Sequence, residues 1–481
     1  MSEPMSVLSL AMAAGGGLVD GREAQQWLAA GYGLLSRSVQ LVRALSDKRA
    51  AILLPPGGAY LTALAASDGR GTVLINPLAS RPEIVRQILD ANVGAVFTNL
   101  ELATHLPIGI AFALLDEAPL FAQVSIDGVT RTVDLGNHFG LSLSGRTDVE
   151  GRDEEAVIVY TSAMAGRPLG AILTHRNLIA NAHASADALG DTSDDKCLSA
   201  LPFAHLFGLI VCAVSPLVRG GNIALMSRFH PGRALDVIEE SRITRFMGVP
   251  SMFLSMLQVI GRRGNGRFVD HNLRMCLTGG APVSEQLQTE WFDATGVELR
   301  QGYGLTEAAP ACTLSRHDQT NRRGAMGTPI AGMDVTIQNP NGDELPNETE
   351  GEICIRGPHV FRGYVSSGED GLEMRNGWLR TGDLAVKHED NTYTFRGLIK
   401  AMFTRNGFNI YPREIEAAIS RMPGVVNVQA SAVPHPVREN DIAVSVTGDV
   451  TESNVKAWAE QELATYKVPS HFVVDGSGRT G

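Results

Sequence analysis

The chain has 481 residues, 44% of them hydrophobic and 19% charged, with a formal net charge of −11. That length exceeds one ordinary core and calls for two or more domains. The acidic balance argues against a nucleic-acid binder, and without about eighteen consecutive apolar residues no membrane span is expected. The start, MSEPMSVLSLAMAAGGG, is apolar but has no basic leading region, so it reads as a mature N-terminus and not as a secretion signal. The five cysteines are scattered without metal-ligand spacing, which fits buried thiols in a reducing cytoplasm. In chain order, residues 26–46 have helical spacing. Strand 51–54, helix 59–67, strand 72–75, helix 82–91 and strand 95–98 follow, the alternation of βαβ units. After the acidic stretch 145–155 a second series is predicted: strand 156–160, helix 176–189 and strands at 197–201, 222–226, 245–248 and 273–278, with helices between. From 333 short strands and turns predict a small antiparallel or barrel-like part. Helix 412–421, strands 425–433 and 441–447, helix 452–464 and strand 470–474 predict a separate small α/β domain, with a boundary near Gly397 to Lys400.

The run Gln301 to Glu307, QGYGLTE, follows a predicted strand at 297–300, and open α/β sheets bind ligands at the C-terminal ends of their strands. Gly302 and Gly304 allow close approach of a ligand. Tyr303 offers a flat face for a base, Thr306 a hydroxyl near phosphate, and Glu307 a hard oxygen for Mg²⁺. The string resembles a core motif of the adenylate-forming superfamily: acyl- and aryl-CoA synthetases, luciferases and peptide-synthetase adenylation domains. The resemblance runs from about residue 45 to the end. It implies an α/β fold with a large domain, 1–397, and a small C-terminal lid domain, 398–481. It also implies a cytoplasmic enzyme that uses ATP, Mg²⁺ and coenzyme A, or the phosphopantetheine of a carrier protein. A carboxylate would attack the α-phosphate of ATP, and a thiol would then displace AMP.

Further strings carry the same resemblance. TGGAP, Thr278 to Pro282, matches the segment lining the adenine and acyl pockets, so Gly280, Ala281 and Pro282 are candidate binding residues. Asp383, in WLRTGDL, matches the aspartate that accepts from both ribose hydroxyls, and a carboxylate is the natural partner of a vicinal diol. LPFAHLFG places His205 where the family gates its carboxylate site; a lone His beside apolar residues is otherwise a satisfied core residue. Met247 to Pro250 and Leu277 are candidate walls of an apolar acyl or aryl pocket. RNGFNIYPREIE, Arg405 to Glu416, matches the lid's thioester-forming loop, where Gly407 would line a pantetheine tunnel. GEICIRGP, Gly351 to Pro358, is a further match with a structural role.

Other strings depart from the family. Tyr160 to Gly170 reads YTSAMAGRPLG against a typical YTSGTTGxPKG. It is expected to join a strand to a helix, a setting for holding phosphate on backbone N–H groups. Thr161, Ser162 and Gly166 remain, but Ala163, Met164 and Ala165 replace a glycine and two threonines, and Leu169 replaces a lysine. In Gly397 to Ala401, Leu398 replaces a ribose-binding arginine and Ala401 a hinge acid; Arg396 is the nearest alternative donor. Val474 to Gly481 aligns without gaps to VDELPRTG, the stretch before the lid lysine of VDELPRTGSGK. Two expectations follow: a carboxylate-activating ligase impaired in adenylation, or a relative that binds nucleotide or acyl thioester or performs only the thiol-transfer half-reaction. The expected partners are a small apolar acyl or aryl acid and an acyl carrier protein.

Overall fold

The computed structural model describes residues 7–45, 47–67, 70–115, 121–135, 153–161, 168–263, 266–366, 371–399 and 403–475. Ser162, Gly166 and the substituted positions between them lie outside the described residues, as do Lys400, Ala401 and 476–481.

Two nine-stranded mixed sheets form the large part. In one, strands Arg49–Leu53, Thr72–Leu74 and Val93–Thr98 run parallel at the centre and are buried on both faces, as apolar runs without alternation require. In the other, parallel strands Lys196–Ser199, Arg245–Gly248, Met275–Thr278 and Leu299–Gly304 lie side by side. The last is also paired antiparallel with Ala311–Leu314. Helices connect the parallel strands, and capping residues set their starts. Ser80 and Glu83 form a reciprocal capping box on helix Arg81–Asp90, and Thr174 with Asn177 does the same for His175–Leu189.

The predicted α/β architecture is observed, with three corrections. Helix 26–46 is two helices, Ala24–Arg37 and Val39–Ala44. Ser38 leaves helical geometry at φ −107° and ψ 83°, and its Oγ accepts from the Leu41 N–H at 3.2 Å. The parallel sheet implied by βαβ alternation carries antiparallel edges, including the hairpin Phe121–Ile126/Val129–Asp134. The phosphate-loop string does not join a strand to a helix. It connects strands Glu155–Thr161 and Leu169–Thr174, which pair antiparallel, and the helix begins only at His175. The apolar run Leu169 to Leu173 satisfies its backbone in the sheet before the Thr174 cap can start a helix.

From Asp334 the chain forms an antiparallel sheet of Asp334–Gln338, Glu350–Arg356 and Trp378–Lys387, edged by Met374–Arg375 and Tyr393–Leu398. The C-terminal unit has its own core: hairpin Phe403–Arg405/Phe408–Ile410, helices Pro412–Ile419 and Glu452–Glu462, and strands Val425–His435, Glu439–Gly448 and His471–Asp475. Among the described residues no helix is long and apolar enough to cross a membrane.

Candidate active site

Strands Met275–Thr278 and Leu299–Gly304 end beside each other, with Thr278 opposite Gln301 in register. Beyond their C-terminal ends opens a cavity of about 410 Å³ between the large part and the C-terminal unit. Of the sequence-predicted residues it gathers Thr161, His205, Gly280, Ala281, Pro282, Gly302, Tyr303, Gly304, Thr306, Glu307, Asp383 and Gly407. Leu277 lines it too, whereas Met247 is buried in the core outside it and Val249 packs behind Gly407.

The Tyr303 hydroxyl donates to Asp383 Oδ2 at 2.6 Å. Burial raises the Asp383 carboxyl to about 6; the Tyr303 hydrogen bond opposes the rise, and nearby Glu352 and Glu307 add to it. The turn holding Asp383 is fixed from below. The Gly382 N–H donates to Glu352 Oε1 at 2.9 Å, Arg380 pairs with the same carboxylate, and the Thr381 hydroxyl donates to the Ile353 carbonyl at 2.8 Å. Glu352 belongs to the GEICIRGP segment, so that string holds up the Asp383 turn.

Glu307 is buried, and Oε1 accepts from the Tyr364 hydroxyl at 2.8 Å. Burial raises its pKa, and the Tyr364 hydrogen bond only partly offsets the rise. His205 is exposed on the cavity wall, and desolvation by the protein packed around the ring lowers its proton affinity. Its Nδ1 accepts from the Phe207 N–H at 3.3 Å, so in the neutral ring Nε2 carries the proton. Gly304 has to be glycine, because a Cβ there would collide with the Pro310 carbonyl. Gly407 has to be glycine twice over: its φ is +75°, and a Cβ would fall on the Val249 side chain.

The lining includes an apolar set, Phe207, Val211, Leu277, Leu314 and Met326. Phe207 and Val211 come from a π-helical segment, Phe207–Val214, a geometry frequent at functional sites. The cavity is poor in cations. Leu169 and Leu398 both line it, and Leu398 stands directly across the ladder from Asp383. Arg396 does not take the place of an arginine at 398. A bulge at Leu384/Ala385 breaks the alternation, so Phe395 faces the cavity and Arg396 is exposed outside it. Among the described lining residues Lys467 is the one Lys or Arg, and it is committed to two carboxylates.

Nucleoside and metal can be tested against these groups. Asp383 Oδ2 has one protein partner, Tyr303, which leaves acceptor capacity for a diol. Thr278 Oγ1 and Gln301 Oε1, on the cavity lining, are buried without protein partners. Among the described residues no three His, Cys, Asp or Glu side chains cluster to hold a metal. Glu307 fits a cation only in company with ligand oxygens, as Mg²⁺ is ordinarily held.

Tyr364, Tyr411 and Lys467 were missed by sequence reasoning, whereas Glu352 lies in the string read as structural. The Tyr364–Glu307 bond spans 57 positions and carries no local pattern. Tyr411 was within reach, since it lies inside the lid-loop string and also lines the cavity.

With this geometry in place, the chain belongs to the AMP-binding enzyme family. The family's model matches residues 39–365, and that of the AMP-binding enzyme C-terminal domain matches residues 414–480. The chain is 36% identical over 330 residues to a feruloyl-CoA synthase of Amycolatopsis sp, covering 66% of this chain but only 65% of that protein. It is 30% identical over 428 residues to a 2-succinylbenzoate–CoA ligase of Bacillus mycoides, covering 88% and 83%. Among solved structures, ATP-bound MatB from Rhodopseudomonas palustris superposes with a TM-score of 0.68 at 26% identity, covering 98% of this chain and 95% of that one.

Proposed function

We propose that the chain is a carboxylate-activating ligase that forms an acyl-adenylate from ATP and then passes the acyl group to a thiol, that of coenzyme A or of a carrier-bound phosphopantetheine. The observation that carries this reading is the convergence of Asp383, Tyr303, Glu307 and the lid residues Gly407 and Tyr411 on one cavity. In this reading the ribose hydroxyls donate to Asp383 while Tyr303 holds that carboxylate in place. The acid lies along Phe207, Val211 and Leu314, which favours an apolar aryl or acyl group. His205 Nε2–H donates to its carboxylate, and one carboxylate oxygen attacks the α-phosphorus as the bond to pyrophosphate breaks. Glu307 would hold Mg²⁺ with phosphate oxygens, which supplies charge neutralisation. In the second step thiol sulfur attacks the acyl carbon and AMP leaves, with Gly407 leaving room for the incoming chain. Large 1–397 and small 398–481 domains are the division that this reading uses.

Adenylation is the weaker step. Leu169 and Leu398 stand on the cavity wall where the family resemblance places a lysine and an arginine. Each lost electrostatic group of this kind typically costs about 10²–10³ in rate. A chain specialised in thiol transfer or in binding is the second reading, and the same two leucines favour it. The deciding experiment is ATP–pyrophosphate exchange with a panel of aryl and acyl acids, alongside thioester formation from supplied acyl-adenylates. Acid-dependent exchange establishes the ligase. Thioester formation without exchange establishes the second reading, and silence in both removes the ligase.

Two variants sharpen the assignment. Glu307→Gln should lower Mg²⁺-dependent turnover by about 10² while AMP affinity, read by calorimetry, stays within twofold; undiminished turnover removes the metal role. Gly407→Ala should lose thioester formation by roughly 10²-fold, because a Cβ at φ +75° is strained and falls on the Val249 side chain, so the loop must shift; a melting curve checks that the fold survives. Unimpaired transfer would show that the loop does not border the thiol path.

A further inference from the structure

We propose that Lys467 is a positioning residue: its ammonium clamps the C-terminal unit onto helix Arg81–Asp90 of the large part and so sets the loop at Gly407 against the cavity. Nζ donates to Glu83 Oε1 at 2.9 Å on the large part and to Glu414 Oε1 at 2.6 Å on the C-terminal unit. The three side chains are only 7%, 3% and 6% exposed. Buried charges of this kind persist only when paired, and removing one partner strands the others. Glu83 is held from its own side, since Oε2 accepts from the Ser80 N–H at 2.8 Å in the capping box. Two weaker contacts lie on the same seam: the Ser80 hydroxyl donates to the Glu462 carbonyl at 3.0 Å, and Arg86 stands 3.8 Å from the Glu462 carboxylate.

The clamp reaches the site through packed neighbours. Arg405 donates to the Tyr466 and Val468 carbonyls at 3.1 and 2.8 Å and fixes the turn that carries Lys467. The Tyr466 ring stacks on Phe408, with centroids 4.2 Å apart and planes 21° from parallel. Phe408 follows Gly407, whose backbone sits on Val249 and whose carbonyl faces Gly280. Releasing Lys467 from Glu83 frees this whole row from the large part.

The kinetic side of the test rests on the ligase reading; the structural side does not. Glu83→Gln is the informative variant, because it removes the carboxylate across the seam and leaves Lys467 its partner within the C-terminal unit. Lys467→Met is the companion. All five native cysteines are buried, so thiols introduced at exposed Leu100 and Ser453 take spin labels selectively. The expected result is one narrow label-to-label distance in the parent and a broadened, longer distribution in both variants. Thioester formation from a supplied acyl-adenylate should fall at least tenfold more than pyrophosphate exchange. An unchanged distance distribution in Glu83→Gln overturns the clamp, and so does an equal fall in both half-reactions. If the parent is silent in both half-reactions, the ligase reading fails, and the distances alone decide the clamp.

Discussion

Asp383→Asn is expected to weaken adenosine-nucleotide binding on the order of 10- to 100-fold, and at the same time to stabilise the ligand-free protein. Both effects come from the same carboxylate. Hydrogen bonds to a charged group are worth about 1.5–3 kcal/mol each, and a carboxamide keeps only one comparable acceptor oxygen for two ribose hydroxyls. The stability effect follows from the raised carboxyl, held near 6 chiefly by burial. The folded state therefore binds this proton more tightly than the unfolded chain. Stability then falls as pH rises from about 4 to 6 and stays at the lower level above that window. With the site partly open to solvent, the cost at pH 8 is on the order of 1–2 kcal/mol. Asn has no charge to bury and can still accept from Tyr303. The variant should melt roughly 1–2 °C higher at pH 8 and no higher at pH 4. Calorimetric titration with AMP and paired thermal melts read the two effects. Unchanged affinity would remove Asp383 from the nucleotide site. A lower melting point at pH 8 would make it a structural residue.

Much of the cavity was readable because its chemistry is written in short strings. QGYGLTE, TGGAP, TGD and the lid loop each place several cavity residues within a few positions, and each folds as one strand end or turn. What connects the strings was not readable. Tyr364 reaches Glu307 across 57 positions, Glu352 on the neighbouring strand supports the Asp383 turn and pairs with Arg380, and Lys467 meets Glu83 across 384. No periodicity encodes such pairs. The apolar run Leu169 to Leu173 has the composition of a buried strand, yet the neighbouring loop string suggested a helix start; pairing with Glu155–Thr161 decided the matter. The Ser38 break was legible in principle, since Ser is a common N-cap, but apolar spacing runs through it. Arg396 shows the limit of counting along a strand: one bulge turned it away from the cavity and brought Phe395 in.

The largest gain in rate is expected from placing cations at Leu169 and Leu398 together. Leu398 faces Asp383 across the ladder, so Leu398→Arg should place a guanidinium beside the ribose. Leu169 sits on the strand that leaves the phosphate-loop string and is only 7% exposed. A lysine there can lay its stem along the wall and send its ammonium into the cavity. Among the described lining residues nothing else supplies free positive charge, because Lys467 is held by Glu83 and Glu414. Each single repair should raise ATP–pyrophosphate exchange about tenfold. The pair, combined with Ala163→Gly, Met164→Thr and Ala165→Thr, should raise it by about 10²–10³. The gains need not multiply, since groups acting on one transition state are not additive. Thioester formation from a supplied acyl-adenylate should change little, because that step expels AMP without separating pyrophosphate. Melting curves for every variant guard against a fold lost to a buried charge. If the unmodified chain already exchanges pyrophosphate at an ordinary ligase rate of about 1–10³ per second, adenylation is not impaired and other groups supply the charge. If the full repair stays silent across a broad panel of acids, the two leucines are not what holds adenylation back, and the thiol-transfer or binding reading takes its place.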